Sequence, residues 1–168
     1  MSHSSSEKLV KAIHRSTRRK YLAEQGYLDA QYNLGGMYHS GQGVPQDYKE
    51  AAKWYRKAAE QDEPDGQLKL AEMYRKGHGV PQDYEEAVKW YRQVAEQDVR
   101  IGQFLLGRMY RKGHGVPQDY VLAHMWFDLA AAQGMELAIS ARDTTAAEMP
   151  HEQIAEAQRL AREWRSKE

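Results

Sequence analysis

The sequence predicts an all-α protein made of one helix-turn-helix unit repeated every 36 residues, and three observations carry that expectation. Pro45, Pro81 and Pro117 stand 36 apart, as do Trp54, Trp90 and Trp126, and Tyr38, Tyr74 and Tyr110. The stretch YRKGHGVPQDY occurs twice unchanged, at 74–84 and 110–120, and a first copy, YHSGQGVPQDY at 38–48, keeps eight of its eleven letters. Apolar residues recur at helical spacing on both sides of it: Leu68, Leu70, Ala71 and Tyr74 before, Ala87, Trp90, Tyr91, Val94 and Ala95 after. Self-similarity at a fixed period of this size signals stacked supersecondary units, each burying its apolar face against its neighbours.

The elements follow in order. Helices are expected near 28–40, 47–61, 65–76, 83–97, 101–112 and 119–133. Gly41, Gly77 and Gly113 fall where a helix C-terminus calls for a left-handed residue, and Gly43, Gly79 and Gly115 permit a second unusual backbone step. Each following valine precedes a proline and is held extended, and Asp47, Asp83 and Asp119 are placed to cap the next helix. Glu50 and Glu86 complete a capping-box pattern worth about 1 kcal/mol, whereas Leu122 leaves only half of it in the third copy. The loop is therefore expected to be identical because every repeat needs the same turn. Trp54, Trp90 and Trp126 recur once per repeat at one helical position, which places them in the core between helices.

The plan that results has a disordered start at 1–6, a degenerate N-terminal half-repeat helix at 7–27, and repeats at 28–63, 64–99 and 100–135. A C-terminal degenerate half-repeat and capping helix fill 136–168. In the closing helix Ile154, Ala157, Leu160, Ala161 and Trp164 form one apolar stripe, with Pro150 suited to its first turn. Asp62 and Asp98 fall where a left-handed glycine is usual, and Gly66 and Gly102 fall early in helices, so the joints between repeats are expected to be loose.

Composition bounds the function. Lysine plus arginine total 24 and aspartate plus glutamate total 24, so net charge does not point to a nucleic-acid or membrane partner. With no cysteine, disulfides and thiolate metal sites are excluded. No apolar run approaches the roughly 18 residues of a membrane span. The start lacks the apolar stretch of a secretory signal, which reads as a cytoplasmic chain, or as a periplasmic or secreted one whose signal has been removed.

The pattern Leu-Gly-x-x-Tyr, then Gly-x-Gly-Val-Pro-Gln-Asp-Tyr, then Ala-x-x-Trp-Tyr-x-x-Ala-Ala resembles the Sel-one-like repeat, a relative of the 34-residue tetratricopeptide repeat, over about 28 to 134. The resemblance implies a right-handed α/α superhelical solenoid whose first helices line a concave face. It also implies an adaptor that binds other proteins, often in bacteria; the apolar stripe of the closing helix reads as a cap on the last repeat, so a monomer is expected, with dimerisation through that helix as the alternative.

Some relatives are described as β-lactam-binding or hydrolysing, which makes an enzyme the alternative class. Ser5-Ser6-Glu7-Lys8 meets the S-x-x-K spelling, but no SDN or KTG motif follows. His78 and His114 occupy equivalent loop positions about 10 Å apart in stacked repeats, too far to share a metal at about 2 Å, and read as solvated loop residues. No acid, base and nucleophile constellation stands outside the repeat register, so neither catalytic residue, cofactor nor metal is expected. Six basic residues against Glu7 over 1–22 offer an anionic-surface or nucleic-acid contact, with a solvated helix face as the plainer reading.

If tetratricopeptide geometry carries over, the concave positions include Tyr32, Asn33 and His39 in the first repeat, Lys69, Glu72, Arg75 and Lys76 in the second, and Arg108, Arg111 and Lys112 in the third. Positive charge accumulates toward the third repeat. An extended protein segment bearing Asp, Glu or a free carboxylate is the expected partner, since the arginine fork grips a carboxylate bidentately.

Overall fold

The repeated loop decides where one helix stops and the next begins, and the rest of each repeat follows from it. The computed structural model describes residues 17–166; the Ser-rich start, the Ser5 to Lys8 stretch, residues 7–16 of the expected N-terminal helix and the last two residues lie outside them. Helix α1 covers 17–24 of the described chain. It is followed by α2 (Leu28–Ser40), α3 (Tyr48–Ala59), α4 (Pro64–Lys76), α5 (Tyr84–Glu96), α6 (Arg100–Lys112), α7 (Tyr120–Ala132), α8 (Glu136–Ala146) and α9 (His151–Arg165). There is no strand among the described residues, and each repeat helix ends within two residues of its expected bounds.

The chain divides into an N-terminal unit, Met1–Gln82, and a C-terminal unit, Asp83–Glu168. In the first, α2 packs on α3 and α3 on α4; in the second, α5 packs on α6, α6 on α7, and α7 on both α8 and α9. Leu22 and Ala23 of α1 join Ala30, Leu34 and Trp54, so the half-repeat helix covers the apolar face of the first full repeat. Trp54 and Trp126 are each only 3% exposed. Trp90 is half-buried, and so departs from the fully buried ladder that its register predicts. Trp126 meets Trp164 of α9 edge-to-face at 4.9 Å, and Ala157 and Ala161 are buried, so α9 closes the last repeat. Pro150 stands one residue before that helix, at its N-cap.

The loop does more than turn the chain. Gly77 and Gly113 end their helices in the left-handed region, at φ 72° and 67°. Gly79 and Gly115 are required for a second reason: a Cβ there would lie 2.1 Å from the Tyr48 carbonyl oxygen and 2.2 Å from that of Tyr84. Each loop is thus wedged against the start of the second helix of the preceding repeat. His78 stacks on Tyr48 at 4.9 Å and His114 on Tyr84 at 4.6 Å, which corrects their reading as merely solvated. The copy that differs in sequence has Gln42 at the histidine position, and a Cβ on Gly43 would meet only the flexible Met37 Cε. The two identical loops therefore share a docking surface as well as a turn.

Capping departs from expectation in one respect. The Asp47 carboxylate accepts from the N–H groups of Lys49 and Glu50 at 2.9 and 3.1 Å, and those of Asp83 and Asp119 accept from Glu86 and Leu122 at 3.0 and 2.9 Å. The reciprocal half of the box is not made by Glu50 or Glu86. The Asp47 N–H donates to the Tyr38 carbonyl at 2.9 Å, leaving Glu50 to pair with Lys53, and Glu86 pairs with Lys89.

The joints are tight, not loose. Asp62 and Asp98 take the left-handed conformation at φ 59° and 56°. Gly66 and Gly102 let helices approach: a Cβ on Gly102 would come within 2.8 Å of the Ala95 nitrogen, and one on Gly66 within 3.2 Å of the Ala59 nitrogen. A buried glutamine, unremarked by hydropathy, fastens each joint. Gln31 and Gln67 donate to the carbonyls of Ala23 and Ala59, both at 3.2 Å. Gln103 donates to the Asp98 carboxylate at 2.8 Å, while Gln61 and Gln133 donate to the side-chain oxygens of Gln31 and Gln103 at 2.7 and 3.0 Å. Buried amides satisfied in this way favour one register of stacking.

Candidate functional site

Helical periodicity puts Phe104, Arg108 and Arg111 on one face of α6, with Lys112 beside them. In the C-terminal unit these four residues, His114 and Gln118 of the loop, Tyr120 and Phe127 of α7, and Ala141 of α8 enclose a pocket of about 510 Å³. Its floor is apolar. The Phe104 and Phe127 rings meet at 5.7 Å, and the Arg108 guanidinium lies 5.8 Å over Phe104, a cation–π distance.

At the rim, Arg111 donates to one Glu148 carboxylate oxygen at 2.7 Å, and the Tyr120 hydroxyl donates to the other at 3.3 Å. The hydrogen bond from Arg111 holds the Glu148 carboxyl below its usual range. Gln118 steadies the pair, donating to the Arg111 carbonyl at 2.9 Å and to the Tyr120 oxygen at 3.3 Å. This glutamine belongs to the repeated Pro-Gln-Asp, where only proline and aspartate drew attention from sequence. Arg108 and Lys112 have no ion-pair partner among the described residues.

The equivalent face of the N-terminal unit is built differently. Glu72 of α4 pairs with Lys76 at 2.7 Å and with Arg75 at 3.7 Å, and the hydrogen bond from Lys76 lowers its carboxyl pKa. Lys69 and Asn33 are exposed. Tyr32 and His39 are half-buried beside Tyr55, at ring distances of 5.7 and 6.5 Å. Burial pushes the Tyr55 phenol up to about 12 and also raises that of Tyr32. The His39 pKa is lowered, first by burial and then by Lys69. Lys69, Arg75 and Lys76 belong to one unit and Arg108, Arg111 and Lys112 to the other; within α4, Glu72 accounts for two of its three cations.

A separate cluster lies between α7 and α8. His124 is buried with its Nδ1 unpartnered, and Asp128 pairs with Arg142 at 3.2 Å and Arg165 at 3.8 Å, while Arg142 also holds Asp143 at 2.9 Å. Burial lowers the His124 pKa against the opposing pull of Asp128. Among the described residues no group of His, Cys, Asp and Glu is arranged to hold a metal ion, and no helix is long and apolar enough to cross a membrane.

These features define an all-α repeat fold of the solenoid class. The Sel1 repeat family matches residues 28–63, 64–99 and 101–135, and the chain belongs to that family. A protective antigen of uropathogenic Escherichia coli strains, displaying an SLR fold, is 35% identical with a TM-score of 0.81 over 89% of this chain. The chain spans 32% of that antigen's length. A Sel1 repeat protein from Oxalobacter formigenes is 39% identical, with a TM-score of 0.69, over 76% of this chain and 96% of that one. Cysteine-rich protein B of Helicobacter pylori, 22% identical, shares the fold with a TM-score of 0.58 over 79% of this chain and 93% of its own. No curated protein matches the chain. Sel1 repeat proteins generally mediate protein–protein interaction and are generally non-catalytic.

Proposed function

We propose that the protein is a non-catalytic adaptor whose C-terminal unit holds an acidic protein segment against α6, with Arg108, Arg111 and Lys112 as the gripping residues. The observation that carries this reading is the Glu148 carboxylate seated between Arg111 and Tyr120 at the rim of the pocket, since an aspartate, a glutamate or a chain terminus from a partner presents the same group. Gln118 holds the Tyr120 hydroxyl and the backbone end of α6 at Arg111 in advance, which lowers the cost of binding. In the N-terminal unit, Tyr32, Asn33 and His39, with Lys69 nearby, are the aromatic and hydrogen-bonding groups that a segment held there would meet.

Titration of the protein against an acidic peptide library at two salt concentrations tests the reading. Removing Arg108 and Arg111 together should weaken preferred peptides by about 2–4 kcal/mol if both contacts are charge-assisted and partly desolvated. Affinity should fall as salt rises, because exposed pairs are screened over about 8–10 Å. Preference for basic peptides, or binding that ignores salt, would move the interaction away from α6.

A further inference from the structure

Two residues that line the pocket of the C-terminal unit, Arg111 and Tyr120, already bind a carboxylate, and the chain itself supplies it. Glu148 lies in the turn between α8, which ends at Ala146, and α9, which begins at His151, so it can swing away without unwinding a helix. Its side chain is 47% exposed, whereas its neighbour Met149 is only 8% exposed and anchors the turn. A tethered carboxylate of this kind stays close to Arg111 after it lets go. An exposed ion pair is weak enough to be displaced by a ligand that brings further contacts.

Those further contacts are present. The pocket that Arg111 and Tyr120 help to line extends over about 510 Å³, within the roughly 300–1,000 Å³ common for ligand sites. Its floor is two phenylalanines, and Arg108 and Lys112 stand beside it without ion-pair partners among the described residues. Glu148 reaches Arg111 and Tyr120 but brings no apolar group of its own onto Phe104 and Phe127. We infer that the pocket's ligand is a protein segment in which an acidic side chain is followed closely by an aromatic or large apolar one, and that Glu148 is its intramolecular competitor. The acidic group displaces Glu148 from Arg111, and the apolar group fills the space that Glu148 leaves open. This inference rests on the proposed function, from which it takes the acidic partner, and adds the second side chain and the competition.

The test uses the full chain and a fluorescein-labelled peptide of repeated Glu-Phe pairs, with Gln-Phe and Glu-Ala peptides of equal length beside it. Glu148→Gln keeps the shape of the side chain and removes its charge, and Glu148→Ala removes the contact altogether. Both variants should bind the Glu-Phe peptide about two- to fivefold more tightly than the wild type, the gain expected when a weak competing pair is removed. The Gln-Phe and Glu-Ala peptides should bind more weakly than Glu-Phe to all three proteins. If the Glu148 variants gain nothing while Arg108→Ala with Arg111→Ala loses binding, the competition is overturned and the acidic-segment reading stands. Equal binding of Glu-Ala and Glu-Phe overturns the apolar requirement. If the Glu-Phe peptide binds neither the wild type nor Glu148→Gln, both this inference and the proposed function fall.

Discussion

Helices α4 and α6 hold the same place in successive repeats and both end in Met-Tyr-Arg-Lys, yet their charges are paired differently. Glu72 of α4 sits three and four residues before Arg75 and Lys76 and closes both charges within its own helix. At the equivalent position α6 carries Arg108. Nothing on the helix neutralises Arg111 there, and it reaches 37 positions along the chain to Glu148. Glu72 against Arg108 is thus one exchange that changes how the end of the helix is paired, while the capping and docking residues stay fixed.

That comparison breaks first if the scaffold is not shared. Trp54 and Trp126, equally buried, should each cost about 3–5 kcal/mol when replaced by alanine, measured by chemical denaturation, and half-buried Trp90 should cost less. A large inequality between Trp54 and Trp126 would mean that the cores within the two units are built by different means. Next in size are the docked loops. Gly79→Ala and Gly115→Ala face backbone atoms as well as a positive φ and should each cost about 2–5 kcal/mol. Gly43→Ala, with the same φ strain but only Met37 Cε in the way, should cost about 1–2 kcal/mol. Equal losses at all three would remove loop docking as the reason for the identical letters.

A third test concerns a feature of the C-terminal unit alone. His124 replaces Val88 and Ala52 of the earlier repeats at the same register. Its pKa is lowered by burial, so the unfolded chain takes up the proton first as pH falls through the ordinary value near 6.5. The stability contributed by the neutral, buried ring is present above that value and is lost as pH falls from it toward the lowered one. Melting temperatures recorded from pH 7.5 to 5 should therefore decline, and His124→Val should flatten the decline. An unchanged slope would assign the acid response to other groups. The smallest effect is expected at Glu72, whose pairs with Arg75 and Lys76 are exposed. Glu72→Ala should change stability by less than about 0.5 kcal/mol while releasing Arg75 and Lys76 from their pairing within α4.

How much of this was legible in sequence depends on the distance over which each cause acts. The helices, the left-handed glycines and the aspartate caps were legible because their partners lie within a turn or two, where spacing alone fixes geometry. Stacking of His78 on Tyr48 and the glutamine bridge from Gln61 to Gln31 join residues 30 apart, and only the packing of one repeat on the next shows which groups meet. Gly66 and Gly102 were misread as weak points because a glycine in a helix has a known local cost, whereas the close approach that requires it is tertiary. Of the candidate site, the register supplied the basic residues of α6, whose role is proposed above. Glu148 was not legible, because it sits in a degenerate repeat at the position aligned with Lys112 and carries the opposite charge.

The most direct test of the account replaces the two cationic sets in parallel and measures affinity for one acidic peptide at low salt. Arg108→Ala with Arg111→Ala should lose about thirtyfold or more, the equivalent of at least about 2 kcal/mol. Arg75→Ala with Lys76→Ala removes the same number of charges from α4, where both already pair with Glu72, and should change affinity less than about threefold. Equal losses from the two variants, or a larger loss from the α4 pair, would contradict the assignment of the carboxylate site to α6.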